Sequence, residues 1–336
     1  MSQPSPAIRT TPRPTCPVCG GPGATAHEGL ADRWFGAPGT WRMVRCAAAR
    51  CGALWLDPTI LPEDIGLAYS TYYTHTLAGR GGPVYRLYRK LARAWLAADL
   101  GYRRSPLAAL AALAFDAARR DELRHSVLYL DAPAGRVCDV GCGEGARLER
   151  LAELGWTGTG VEPDARAATL GRERGLDVRT GLLAGQAFPV GSFDAVTLGH
   201  VIEHVPDPLE MLTEARRVLA PGGRLAVATP NAAGAGARRW GAAWRGLEPP
   251  RHLQVFTPAS LHALARAAGF AAATVRTTAR MAAVIHLEST SGRLAMGGAS
   301  FAAAERRAAE AFAQSERDAL RTDPDAGEEI LLEARV

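Results

Sequence analysis

Residues 135–155, GRVCDVGCGEGARLERLAELG, read as a strand, a tight turn and a helix. Val137, Cys138 and Val140 make an apolar strand, Gly141, Gly143 and Gly145 a turn, and Arg147 to Leu154 show helical spacing. A unit of this kind opens the doubly wound parallel sheets, in which a glycine-rich crevice at a strand end receives a nucleotide-bearing ligand. GCGEGA also satisfies the dinucleotide fingerprint GxGxxG/A, with Glu162 downstream at the spacing of a ribose acceptor.

Asp139 separates two ligand classes. It stands just before the first glycine, where an acid points toward the centre of the ligand. Beside a pyrophosphate a carboxylate would repel. Beside S-adenosylmethionine, whose ammonium and sulfonium are both positive, it would attract. Glu162 ends the next strand, TGTGVEPD, placed to accept from both ribose hydroxyls, and SFDAVTLGH (192–200) supplies a fourth strand.

Taken in order, DVGCGEG (139–145), GVEPD (160–164), FPVGSFDAVTLGHVIEHVPDP (188–208) and LAPGGRLAVATPN (219–231) resemble the class I S-adenosylmethionine-dependent methyltransferases. The branch resembled most is that of the ubiquinone-pathway O-methyltransferases, over about 131–336. The resemblance implies an α/β fold with a seven-stranded, doubly wound, Rossmann-like sheet. It implies cofactor contacts from Asp139, Gly141, Cys142, Gly143, Gly145, Glu162, Pro163, Leu182, Leu198 and Gly199. Near 182–184, where the family usually places a polar residue for the adenine, Leu182-Leu183-Ala184 offers only backbone. TPASLHALARAAGF (257–270) predicts a helix with Thr257 as N-cap, and FAAAERRAAEAFAQSERDAL (301–320) a long amphipathic helix. GEEILLEARV (327–336) is then the last strand, antiparallel in this family.

The stretch GHVIEH (199–204) matches the HxxEH pattern of some zinc peptidases. Such a motif needs the middle of a long helix, whereas Pro206 and Pro208 leave room for one turn here. Three roles stay open. Glu203 and His204 can fix the loop beside the cofactor, or His200 or His204 can act as general base. A metal site is the third: relatives hold a divalent ion with a similar turn and a downstream histidine, for which PPRHLQVFTP supplies His252. In one helical turn His200, Glu203 and His204 would share a face. The expected candidates are His200, His204 and His252 for catalysis, and Glu203, His204 and His252 for a second metal, Mg²⁺ or Zn²⁺. Trp240, Trp244 and Phe256 are candidates for an apolar acceptor pocket or for core.

Two further cysteine pairs precede all this. Cys16-x2-Cys19 and Cys46-x4-Cys51 suit one tetrahedral four-thiolate zinc site, structural because four thiolates leave no open position. Gly20 and Gly52, after the second cysteine of each pair, suit positive φ. WRMVRC and ALWLDP around the second pair predict short strands, hence a zinc ribbon. Some bacterial members of the resembled family carry a similar extension, as do sugar C-methyltransferases.

The chain of 336 residues is 47% hydrophobic and 22% charged, with a net charge of +5. Lys90 is its only lysine, so 38 of its 39 basic residues are arginine, and they are scattered. That pattern reflects codon bias more than phosphate contact, and charge alone decides nothing. A nucleic-acid partner is not expected because no (D/N)PP(Y/F) turn follows the fourth strand and the ribbon region (14–57) is not especially basic. No apolar run is long enough to span a membrane, and the opening residues contain no secretory signal, so a cytoplasmic protein with a small-molecule substrate is expected. The expected organisation is a disordered tail (1–13), the ribbon (14–57), a helical linker or substrate-cap region (58–130) and the catalytic domain (131–336). In that helical region the Arg-rich segment 84–98 should pack on the next domain. Competing functions are a zinc-ribbon RNA methyltransferase, a sugar C-methyltransferase and a non-catalytic cofactor-binding scaffold.

Overall fold

The computed structural model describes residues 7–69, 82–295 and 299–336. Its main sheet has seven strands: β1 (Arg136–Val140), β2 (Thr157–Glu162), β3 (Asp177–Thr180), β4 (Phe193–Gly199), β5 (Leu219–Pro230), β6 (Ala272–Thr278) and β7 (Glu329–Arg335). Their order is β6-β7-β5-β4-β1-β2-β3, and only β7 runs antiparallel to its neighbours. This is the doubly wound Rossmann-like sheet expected from the glycine-rich turn. Strand order reverses between β1 and β4, so their carboxyl ends splay apart and open the crevice where such sheets bind ligands.

Alternation along the strands builds two cores. Val196, Val227 and Leu332 face helices Pro208–Val218 and Pro258–Ala267 through Leu212, Val218, Leu261 and Leu264. Their neighbours Ala195, Ala226 and Leu331 face the other way, where Trp95, Leu96, Ala111 and Leu123 cover them. Those four come from helices Pro83–Asp99, Pro106–Ala114 and Ala117–His125, so the Arg-rich segment does pack on the sheet. The predicted glycine loop at 79–83 lies largely outside the described residues. Helix Pro258–Ala267 has the expected Thr257 cap, which with Ser260 forms a capping box, and Ala303–Ala319 and β7 also lie where expected.

The amino-terminal part forms a second sheet from Gly23–Leu30, Trp41–Cys46 and Leu54–Leu56. Its fourth strand comes from far along the chain: Gln254–Val255 pairs antiparallel with Trp55 and Leu54. The ribbon is thus sewn onto the loops above the main sheet. Within the stretch 1–13 expected as a tail, the described part is held in place: Arg9 grips Asp64 with two side-chain nitrogens and Thr10–Thr11 pair with Thr59–Ile60.

Candidate functional site

At the switch point, Gly141 takes φ +65°, and a side chain there would collide with Val201 at 2.4 Å. The glycine lets β1 end directly under the GHVIEH turn. Asp139 is fully buried; its Oδ1 accepts from Arg147 at 2.7 Å and Thr197 at 2.6 Å, while Oδ2 has no hydrogen-bond partner. Glu162 accepts from the backbone N–H of Gly143 (2.8 Å) and of Asp164 (2.9 Å), which fixes its carboxylate at the end of β2. Cys142, Gly145 and Leu198 are buried around this crevice, Gly143 and Gly199 are half-buried, Pro163 is exposed, and Leu182 is 62% exposed at the rim. A buried carboxylate with a spare oxygen suits an ammonium, and a rigidly held carboxylate at the next strand end suits ribose hydroxyls. The crevice therefore fits S-adenosylmethionine. Arg147 and Thr197 were not foreseen, since nothing marks them in a helix and a strand until both converge on Asp139.

GHVIEH forms one tight turn, as the prolines require, closed by His204 N–H donating to the Val201 carbonyl at 2.9 Å. The three side chains do not share a face. His200 takes φ +57°, which swings its ring away toward β7. There its Nε2 meets Glu329 Oε1 at 2.8 Å, and its Nδ1 lies 3.4 Å from Glu203 Oε1. Burial lowers the His200 imidazole's proton affinity, but the two carboxylates outweigh it and raise the pKa to about 9. This environment suits a proton donor rather than the base considered for His200. Glu329, also paired with His125 and Arg280, is a hub that the sequence did not announce.

On the other side of Glu203, His204 and His252 face each other with ring centroids 4.7 Å apart. Glu203, His204 and His252 bring one ligand atom each within 4.8 Å of one another. Two second contacts orient the imidazoles. His204 Nδ1 lies 3.0 Å from the Arg251 carbonyl and His252 Nδ1 2.8 Å from the Gly246 carbonyl. A carbonyl only accepts, so His252 Nδ1 carries the proton and its Nε2 keeps a lone pair, whereas His204 Nδ1 also meets the Tyr69 hydroxyl at 2.9 Å, which can donate or accept. Burial pushes His252 down to about 4, keeping it neutral. Glu203 is fully buried and accepts from Thr229 through Oε2 at 3.0 Å, leaving Oε1 without a hydrogen bond. These are the features of a two-imidazole, one-carboxylate metal site. Imidazole donors suit zinc, iron or cobalt, whereas Mg²⁺ prefers an all-oxygen shell.

The loop carrying His252 is held from below by a buried ion cluster. Arg251, fully buried, pairs with Asp32 at 2.8 and 3.0 Å and with Glu248 at 2.8 Å. The aromatic candidates pack within the protein: Trp244 and Phe256 are core, and Trp240 makes a tilted contact with Phe312, ring centroids 4.6 Å apart.

The four amino-terminal cysteines come together at one point, with Cys16–Cys51 and Cys19–Cys46 sulfur separations of 3.6 and 3.4 Å. A tetrahedral zinc with bonds of about 2.3 Å sets its sulfurs roughly 3.8 Å apart, so the cluster fits that ion closely. Gly20 and Gly52 take φ +70° and +61°, and Val18 N–H points at Cys16 Sγ at 3.5 Å. Burial raises the Cys16 thiol to about 11, a cost that a cation at the centre would reverse.

Residues 115–275 match the family model described as a methyltransferase domain. A ubiquinone biosynthesis O-methyltransferase of Xanthomonas oryzae pv. oryzae is 38% identical over 109 residues, 30% of this chain and 46% of that protein. One from Caulobacter sp. (strain K31) is 42% identical over 106 residues, 29% of this chain and 41% of that protein. The chain thus spans less than half the length of the curated relatives it matches. A solved S-adenosylmethionine-dependent methyltransferase from Archaeoglobus fulgidus aligns at TM-score 0.45 and 18% identity, over 64% of this chain and 92% of that one. Residues 115–275 are thus similar to a methyltransferase domain, and the glycine crevice, Asp139 and Glu162 lie within that matched stretch.

Proposed function

We propose that the protein transfers the methyl group of S-adenosylmethionine to a hydroxyl of a small molecule, assisted by a divalent ion on Glu203, His204 and His252. The observation that carries this reading is the convergence of those three side chains beside the crevice, with the His252 imidazole oriented as a ligand by the Gly246 carbonyl and the His204 ring held at Nδ1 by Tyr69 and Arg251. Asp139, Gly141, Gly143 and Glu162 hold the cofactor, which supplies an electrophilic methyl. The ion supplies Lewis acidity that lowers the pKa of a bound hydroxyl. The protein's own part is alignment: oxygen, methyl carbon and sulfur must lie in line, and the turn 199–204 sets that line. His204 is half-buried while Glu203 and His252 are buried, so an acceptor reaches the cluster past His204.

Zinc on Cys16, Cys19, Cys46 and Cys51 completes the proposed organisation as a structural ion. Because Gln254–Val255 fill one edge of the ribbon sheet, the ribbon serves its own domain more readily than a nucleic acid. No helix among the described residues is long and apolar enough to cross a membrane, which agrees with a cytoplasmic protein.

The test is methyl transfer from labelled cofactor to a panel of phenols, catechols, sugar hydroxyls and amines. Transfer confined to hydroxyls, lost under a mild chelator that spares the ribbon zinc and restored by Zn²⁺, Mn²⁺ or Co²⁺, is expected. Transfer to amines or carbon, or transfer indifferent to chelation, would overturn the proposal.

A further inference from the structure

We infer that Arg147 is the anchor for the α-carboxylate of the cofactor's methionine end, forming with Asp139 a clamp for the zwitterion. This rests on the cofactor reading above. Arg147 is the second residue of helix Ala146–Glu153, which begins at Gly145. Side chains in a first helical turn lie back over the helix start, and here that direction leads into the crevice between β1 and β4.

Three contacts fix its position. Arg147 Nη1 donates to Asp139 Oδ1 at 2.7 Å. A side chain on Gly199, at the end of β4, would come within 2.1 Å of Arg147 Nη2, so the guanidinium lies flat against that glycine. The side chain is only 17% exposed. The strand end thus lacks a side chain where the arginine needs room.

The pair is also incompletely satisfied. Arginine has five donors in a fork shaped to fit a carboxylate. Arg147 Nε is buried with no hydrogen-bond partner, and so is Asp139 Oδ2. Two groups of opposite charge therefore sit side by side, each with one orphaned polar atom in a low-dielectric crevice, where such atoms are costly. A ligand carrying an ammonium and a carboxylate on the same carbon satisfies both at once. A ligand carrying only one of them leaves the other orphan in place.

The experiment is calorimetric binding of two ligands to the full chain. S-Adenosylhomocysteine has both charges, and 5′-methylthioadenosine keeps the adenosine and sulfur but has neither. In Arg147→Met, affinity for S-adenosylhomocysteine should fall about 10- to 100-fold, while affinity for 5′-methylthioadenosine stays within about twofold. Arg147→Lys should fall between, since a point charge replaces the fork. Equal losses for both ligands would show that Arg147 only shapes the crevice, and full affinity for S-adenosylhomocysteine in Arg147→Lys, which keeps a cation beside Asp139, would show that it only supports Asp139. Tighter S-adenosylhomocysteine binding would show that Arg147 competes with the ammonium. Each of these results overturns the assignment and leaves the cofactor reading standing. Failure of the unaltered protein to bind either ligand would overturn both. If Arg147→Met loses its fold by circular dichroism, Arg147→Lys carries the same comparison.

Discussion

The backbone N–H of Leu253 donates to the carbonyl of Glu203 at 2.8 Å, while the carbonyl of Leu253 accepts from Leu56 N–H of the ribbon at 2.9 Å. One residue thus joins the turn carrying Glu203 to the sheet carrying the four cysteines. Gln254 reinforces the joint, its Nε2 donating to the carbonyls of Ile202 and Val205 at 2.9 and 2.8 Å. Thr257, the cap of the following helix, also donates to the Cys51 carbonyl at 2.6 Å.

A cysteine substitution should therefore be felt at the second site. Cys46→Ser is expected to remove one zinc per chain by elemental analysis and to lower Tm by several degrees, because structural zinc contributes folding energy directly. Affinity for a divalent ion at Glu203, His204 and His252 should fall with it. Full zinc content in Cys46→Ser would refute the ribbon site, and an unchanged second-site affinity would refute the coupling.

The converse substitution separates the two proposed metal sites. His252→Ala should abolish the second-site ion while leaving the ribbon zinc. It should slow methyl transfer about 100-fold or more, the scale of losing a metal ligand with its support, with S-adenosylhomocysteine affinity within about twofold. Equal losses in transfer and in cofactor affinity would mean that His252 supports the fold rather than the chemistry.

These two sites were unequally legible in the sequence. The crevice could be read because strand periodicity, three glycines and one acid lie within a few residues, and local geometry fixes their relation. The ribbon could be read because thiolate spacing mirrors the geometry of the ion. Glu203, His204 and His252 could be nominated, but not assembled. Their meeting depends on Gln254–Val255 joining the ribbon sheet and on His200 taking a left-handed conformation, which removes it from the shared face. Asp32 and Arg251, 219 residues apart, carry no local signal at all. Glu329 likewise gains its partners only when β7 enters the sheet beside β5.

Arg251 is where that illegible part becomes measurable. Its guanidinium is fully buried between Asp32 and Glu248, and Asp32 also accepts from the backbone of Trp34, Phe35 and Ala37. Arg251→Met would leave the buried Asp32 carboxylate without its cation and Glu248 with Arg245 alone, costing about 3–5 kcal/mol in denaturant unfolding. Arg251→Lys should recover only part of it, because a single ammonium cannot reproduce the paired contacts to Asp32. A loss below about 1 kcal/mol in Arg251→Met would mean that water reaches these carboxylates and that the cluster does not hold the His252 loop.

A second buried acid pair makes stability depend on pH. Glu316 Oε1 accepts from the backbone N–H of Glu328 at 2.7 Å, Trp244 Nε1 donates to Glu328 Oε2 at 3.0 Å, and one oxygen of each carboxyl has no partner. Burial raises both, and the charge of Glu328 raises Glu316 further, to about 9, with Glu328 at about 7. The folded protein therefore holds more protons here than the unfolded chain once pH exceeds about 4.5, the ordinary glutamate value. Stability contributed by the pair is complete below that value and is lost as pH rises through about 7 and then 9. Glu316→Gln removes one of the two acids and keeps an oxygen for the Glu328 N–H, with an amide positioned to donate to the orphaned Glu328 oxygen. Its Tm should exceed that of the unaltered protein by a few degrees, on the order of 1 kcal/mol or more, at pH 8.5. The advantage should vanish near pH 5, where both glutamates are already protonated in the fold. A Tm difference that stays constant across this range would mean that the two carboxyls do not share their proton.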